Sequence, residues 1–328
     1  MYRQIFWRIA VLIPVLFVIS VLVFVISKAG PADPVKSVLS AKLTPEQIEE
    51  IRGAYGLNLP AWQQYLNWLT AFFTNGGGTS FTTRGRVSDM VFPAFGNTLL
   101  LVAAATVVTL VVGVTIGFVS GVRHGRLVDR VAMLLVQVGS NLPTYWVGVI
   151  VIWLTAVKLG WLPAGGKQDL RGEGGAPDLL RHIVAPAVAA ALVSTLIIAR
   201  FVRAAVIENL ESDHIRTFRS QGFGPAAVLG KHVGRNVLPP IVNITGLTIG
   251  SVLTGVVFVE AIFSWPGIGT VLLNAIAGSD YPVIQSGILL VAITFVLVNL
   301  IADVVLDLLN PRLRHTQARI TLPRRSPA

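Results

Sequence analysis

The sequence contains no cysteine, which excludes disulfide frameworks, thiolate metal sites and cysteine nucleophiles. It is also poor in charge. Only 13% of its 328 residues are Asp, Glu, Lys or Arg, about half the share usual in soluble domains. Histidine occurs five times and never as H-E-x-x-H, so no metal site and no cofactor is expected. With 53% hydrophobic residues, a disordered tail, a collagen-like fibre and an ordinary soluble enzyme are ruled out.

What is present is a series of long uncharged runs. They cover residues 9–27, 90–122, 131–157, 182–199, 236–259 and 281–302. A helix needs about 20 apolar residues to cross the hydrocarbon layer, so six transmembrane helices are expected. The run of 33 residues from 90 to 122 is too long for one span, and Pro93 with Gly96-Asn-Thr98 places its helix start near Asn97. Residues 261–279 are uncharged too, but Ser264-Trp-Pro-Gly267 and Gly269 break them into a loop with a short interfacial helix. The first run is too long for a signal-peptide core and no A-x-A site follows it, which makes it an uncleaved anchor.

Lys and Arg set the orientation. With both termini inside, the inner segments carry 16 basic residues, against 4 in the outer segments beyond the long first loop. The net charge of +10 is then an orientation signal and an attraction to lipid headgroups. The basic residues form no single stripe, so no nucleic-acid partner is expected.

The first outer segment carries helix signals. Thr44, Pro45 and Gln47 suit a capping box, Ile48, Ile51 and Tyr55 share a face, and Gly56 suits a left-handed stop. Pro60 opens a second short helix with Trp62, Tyr65, Trp68 and Leu69, which either lies on the outer membrane surface or caps it by self-packing. Gly113, Gly117 and Gly121 in the second span, and Gly246 and Gly250 in the fifth, are spaced for close helix packing, with a subunit seam or pore wall as alternatives. Glu260 and Asp280 near the outer ends, and Asp303 and Asp307 beside Arg312 and Arg314, read as boundary ion pairs. No ionisable cluster lies in mid-membrane, and Gly160 to Gln168 fails as a phosphate loop, because its spacing is wrong and no Ser or Thr follows Lys167. No catalytic constellation emerges, and energy for uphill transport must come from another chain.

The largest inner segment holds Asn209-Leu-Glu-Ser-Asp-His-Ile-Arg-Thr-Phe-Arg-Ser-Gln-Gly-Phe-Gly-Pro225. Ser212 or Asp213 can cap a helix of about two turns that Gly222 ends. Ile215, Phe218 and Phe223 form its apolar edge, with Arg216 and Arg219 beside it. Such a helix suits either a groove on a partner or the lipid headgroups.

The segments Asp213-His-Ile-Arg-Thr-Phe-Arg-Ser-Gln-Gly222 and His232-Val-Gly-Arg-Asn-Val-Leu-Pro-Pro240 resemble the cytoplasmic loop signature of ABC importer permeases of the oligopeptide, dipeptide and nickel branch. The resemblance extends to Thr44-Pro-Glu-Gln-Ile with Gly56-Leu-Asn-Leu-Pro60 and Gln64-Tyr65, to Phe258-Val-Glu-Ala-Ile-Phe-Ser-Trp-Pro-Gly-Ile-Gly269, and to Asp307-Leu-Leu-Asn-Pro-Arg-Leu-Arg314. It implies an all-α integral membrane protein with the type I ABC importer permease fold, in a bacterial plasma (inner) membrane. It implies a heterodimer with a second permease, two ABC ATPase subunits below, and an extracytoplasmic solute-binding protein that delivers cargo. By position, Asp213, His214, Ile215, Arg216, Thr217, Phe218, Arg219, Gly222 and Phe223 would be the ATPase-coupling element. Phe218 stands where the branch usually has Ala, which predicts a bulkier docking surface; His214 and Gln221 also depart from the pattern.

The organisation expected is an N-terminus and first span over 1–28 and an extracytoplasmic loop with two short helices over 29–95. A five-helix core over 96–310 follows, with its coupling loop at 208–236, and then a basic cytoplasmic tail over 311–328. The function expected is ATP-driven, binding-protein-dependent import by alternating access, with peptides as cargo. Nickel or glutathione cargo is the alternative within the family. A secondary transporter, a channel or an integral membrane enzyme is the alternative outside it.

Overall fold

The computed structural model describes residues 2–29, 44–169 and 174–309; the tail from 311, and with it the expected pairing of Asp303 and Asp307 with Arg312 and Arg314, lies outside the described residues. In chain order the helices are α1 (Tyr2–Ala29), α2 (Pro45–Ala54), α3 (Ala61–Thr74), α4 (Val87–Val122), α5 (Leu127–Gly139), α6 (Thr144–Ile152), α7 (Ala176–Glu211), α8 (Asp213–Ser220), α9 (Gly234–Ile262), α10 (Ile268–Ala277) and α11 (Tyr281–Leu309). A π-helical stretch, Trp153–Lys158, prolongs α6, and another, Val228–Val233, precedes α9. Among the described residues the one strand-like pairing is an isolated bridge between Thr79 and Arg86.

Four helices are long and apolar enough to cross a membrane, and two bent pairs bring the number to six. The third span differs from the continuous one expected: α5 and α6 meet at 108°. Pro143 has no N–H to offer and holds the chain extended ahead of α6. Ser140 Oγ donates to the Val136 carbonyl at 2.7 Å and Asn141 Nδ2 to the Gln137 carbonyl at 2.7 Å, so the break satisfies helix-end carbonyls internally. The second span also differs. α4 starts at Val87, ten residues before Asn97, and takes Pro93 into its second turn. The carbonyl that the proline ring crowds, that of Asp89, lies in the open first turn, where the loss is smallest.

The chain divides into two compact units, Met1–Leu101 with Thr155–Ile183 and Val256–Val296, and Val102–Leu154 with Val184–Gly255 and Leu297–Ala328. In the first unit, the side-chain oxygen of Gln47 accepts from the Thr44 N–H at 3.0 Å and Thr44 Oγ1 accepts from the Gln47 N–H at 3.4 Å, a reciprocal cap on α2. Gly56, at φ +64°, ends that helix, with the Leu57 N–H on the Arg52 carbonyl at 2.8 Å. One face of α3 packs onto the spans: Trp68 joins Phe24 of α1 and Leu289 of α11 in one cluster, and the Tyr65 hydroxyl lies 2.8 Å from Ser20 Oγ. Its other faces show Trp62 and Phe73 to the surroundings. The helix thus rests on the membrane spans and is not a self-packed cap.

Glu260 and Asp280 are buried without the expected ion pairs; among the described residues neutral donors hold both. Thr98 Oγ1 donates to Glu260 at 2.5 Å and accepts from the Ile268 N–H at 2.8 Å, while the Gly269 N–H donates to the other carboxylate oxygen at 2.7 Å. The carboxylate therefore occupies the N-terminus of α10, where orphan N–H groups and the helix dipole favour an anion. A Cβ at Gly267 would overlap that carboxylate, which is why the loop needs glycine there. Asp280 accepts from Ser80 Oγ at 2.5 Å, Thr82 Oγ1 at 2.6 Å and the backbone N–H groups of Phe81 and Thr82 at 3.0 and 3.2 Å.

In the second unit α4 meets α7 along its glycines. A Cβ would stand 2.8 Å from the Thr195 carbonyl at Gly113, 2.7 Å from Val202 Cβ at Gly117 and 2.7 Å from Val206 Cβ at Gly121. Contact of this closeness, with backbone and side chains alike, leaves room only for hydrogen. Gly246 and Gly250 of α9 are buried.

Candidate functional site

Helix α8 is built by local signals and held by distant ones. Ser212 precedes it in an extended conformation, but its Oγ donates back to the Asn209 carbonyl at 2.5 Å and does not cap α8. The far end closes at Gly222, whose φ of +84° is open to glycine at little cost. The Gly222 N–H bonds the Arg219 carbonyl at 3.1 Å and the Phe223 N–H the Phe218 carbonyl at 3.2 Å. That pair of bonds is the Schellman stop, and the Phe218 and Phe223 rings supply its usual apolar contact at 5.6 Å between centroids. A Cβ at Gly222 meets nothing within 4 Å, so the backbone angle alone makes the demand for glycine.

The apolar edge of α8 points into the protein. Ile215 is wholly buried among Ile198, Val202 and Val206 of α7 and Val228, Val233 and Val237 beyond it. Phe218 is half-buried and lies flat on the His232 ring, 3.8 Å between centroids and tilted by 23°. One face of its ring is thus taken up internally, and the rest stays partly exposed. The Phe223 ring, 43% exposed, is the aromatic that shows. The outward face of α8 is polar: Asp213, His214, Arg216, Thr217, Arg219 and Ser220 are all exposed. His214 Nε2 lies 3.2 Å from Asn236 Nδ2, tying α8 to the start of α9. The Arg216–Asp213 pair at 3.7 Å is solvent-exposed and contributes little to stability, so both side chains are available to a partner.

A second cluster in the same unit was missed from the sequence. Asp129, at the start of α5, is buried and grips Arg203 of α7 through two bonds, Arg203 Nε to Oδ1 at 2.6 Å and Nη2 to Oδ2 at 2.8 Å. The Gly125 N–H adds a bond at 2.9 Å and His124 Nδ1 lies 3.3 Å from Oδ2. A forked pair of this geometry fixes orientation as well as distance. Its sequence signal is that Asp129 is the one carboxylate in an inner loop that otherwise carries Arg123, Arg126 and Arg130. The arrangement is mechanical: one short helix, clamped on its apolar side, presents a charged face at the end of the long helix α7.

Comparison with known proteins gives the setting. The family described as binding-protein-dependent transport system inner membrane component matches residues 113–315, and its N-terminal counterpart matches residues 1–112. The chain is 36% identical over 327 residues to the di/tripeptide transport system permease protein DppB of Pseudomonas aeruginosa, covering 94% of this chain and 97% of the relative. It is also 36% identical over 304 residues to the oligopeptide transport system permease protein AppB of Bacillus subtilis, covering 92% and 96%. Among solved structures, the inward-facing MetNI methionine ABC transporter superposes with a TM-score of 0.56 at 19% identity, covering 67% of this chain and 96% of that one, which shows the shared fold. The chain belongs to the binding-protein-dependent transport system inner membrane component family: it is a multi-span permease subunit of an ABC importer in the inner membrane, and the ATPase is not part of it.

Proposed function

We propose that this permease imports short peptides, that it pairs with a second, different permease, and that α8 is the element through which two ATPase subunits drive it. The peptide reading is supported by relatives named for di-, tri- and oligopeptides at 36% identity over more than nine-tenths of the chain. The observation that carries the coupling reading is the division of α8 into a clamped apolar edge and a free polar face. A helix fastened in this way transmits a push as a rigid body to α7 and α9, which a loose loop would dissipate. ATP-driven closure of the ATPase pair then moves α8, and the spans alternate between inward and outward access. In this reading residues 29–95 face the binding protein, 96–310 form the translocation core with its coupling loop at 208–236, and 311–328 lie in the cytoplasm.

The chain has no cysteine, so single introduced cysteines report without background. Thr217→Cys and Phe223→Cys should crosslink to the ATPase in the assembled complex, and Ile215→Cys should not; equal yields at all three would remove α8 as the docking element. Gly222→Val, strained at φ +84°, should leave the complex assembled and abolish uptake of labelled di- and tripeptides by proteoliposomes supplied with binding protein and ATP. Accumulation of solute by the purified chain without an ATPase would instead make it a secondary transporter.

A further inference from the structure

Helices α1, α2 and α3, the turn after α3 and the first turn of α11 enclose a cavity of about 500 Å³, large enough for a small polar moiety. Its lining contains two cations, Lys28 and Arg52, and no carboxylate, although Arg52 also meets the exposed Glu49 at 4.0 Å outside the lining. It also contains Gln285, which is 6% exposed and whose side-chain amide makes no hydrogen bond among the described residues. That amide opens on the cavity, and the buried indole N–H of Trp68 in the same lining has no hydrogen-bond partner among the described residues, an unmet donor that costs about 1–3 kcal/mol. Lys28 lies in the last turn of the first span, the position at which a lysine reaches the headgroup layer. Its ammonium sits 5.8 Å from the centre of the Phe24 ring. Just before it on α1, Leu22, Val25 and Ile26 are each more than half exposed, an apolar strip suited to acyl chains. On α3, Trp68 lines the cavity while Trp62 is 62% exposed, the amphipathic placement of tryptophan at a membrane boundary.

We propose that this cavity is a binding site for the headgroup of an anionic phospholipid. The lipid phosphate meets Lys28 in the field of Arg52, a headgroup or glycerol oxygen satisfies Gln285, and the acyl chains run down the exposed strip of α1. A phosphate fits better than a cargo peptide, because the site stands at the end of a span beside an exposed apolar surface.

The test uses the full-length chain in detergent, titrated with dioleoyl phosphatidylglycerol or dioleoyl phosphatidylcholine and read by native mass spectrometry. One phosphatidylglycerol should be held roughly tenfold more tightly than phosphatidylcholine, whose phosphate is the same but whose choline would bring a further cation against Lys28 and Arg52. Lys28→Gln and Gln285→Leu should each erase most of that ratio, and Arg126→Gln, in an inner loop, should leave it intact. Gln285→Leu should in addition leave the unfolding temperature in lipid-free detergent unchanged, an outcome a purely structural glutamine would not give. Equal retention of the two lipids, or unchanged selectivity in Lys28→Gln, overturns the proposal. Displacement of phosphatidylglycerol by a dipeptide or tripeptide overturns it too, making the cavity a cargo site.

Discussion

Two ways of burying a carboxylate coexist in this protein. Asp129 is held by a guanidinium, Arg203, in a forked pair. Glu260 and Asp280 are held by hydroxyls and backbone N–H groups, with no cation among the described residues. The first is a strut between two helices and needs both of its ends. The second is a cap, in which the carboxylate serves backbone donors that exist whatever the side chain is. The difference predicts different responses to full replacement by apolar side chains.

The largest effect should come from breaking the strut on one side. Arg203→Ala leaves the buried Asp129 with only the Gly125 N–H and His124 beside it, a loss of about 3 kcal/mol, seen as a fall in the unfolding temperature of the purified chain. Glu260→Gln comes next. Its amide places N–H donors against Thr98 or Gly269, and the loss of one satisfied contact should cost about 1–3 kcal/mol. The sharpest contrast is in full replacement. Asp129→Leu combined with Arg203→Met should recover to within about 1 kcal/mol of the parent, since an apolar pair can stand in for a buried ion pair and the Gly125 N–H that Asp129 also serves lies in an exposed turn, where water can replace it. Glu260→Met cannot recover in this way, because the Gly269 N–H remains buried without an acceptor. If Glu260→Met proves as stable as the parent, the distinction between strut and cap fails. The smallest effect should be on the polar face of α8: replacing Thr217 and Ser220 by Ala should shift stability by no more than about 0.5 kcal/mol each, while uptake is free to change.

What the sequence made legible is what is local. Uncharged runs located the spans, because crossing a bilayer is a demand on length and polarity alone. The Thr44–Gln47 cap, the Gly56 stop and the Gly222 stop were readable because each is written within a few residues. The missed features join distant parts of the chain. Asp129 and Arg203 are 74 positions apart, and Thr98 and Glu260 are 162 apart, so no spacing rule connects them. The bend of 108° at Pro143 was hidden because a bent pair of short helices and one straight helix have the same composition. The stacking of Phe218 on His232 was hidden for a related reason. A two-turn helix shows which residues share an edge, but not whether that edge meets a partner or its own core. The His232 ring, 14 positions later, draws one face of Phe218 inward.

The orientation of α8 carries a consequence for how such subunits diversify. The residues that anchor it, Ile215 and Phe218, belong to a different set from those it displays, Arg216, Thr217, Arg219 and Ser220. Mutations in the displayed set carry little penalty in folding, so under the proposed docking role of α8 natural variation can retune the choice of engine while the chassis stays untouched.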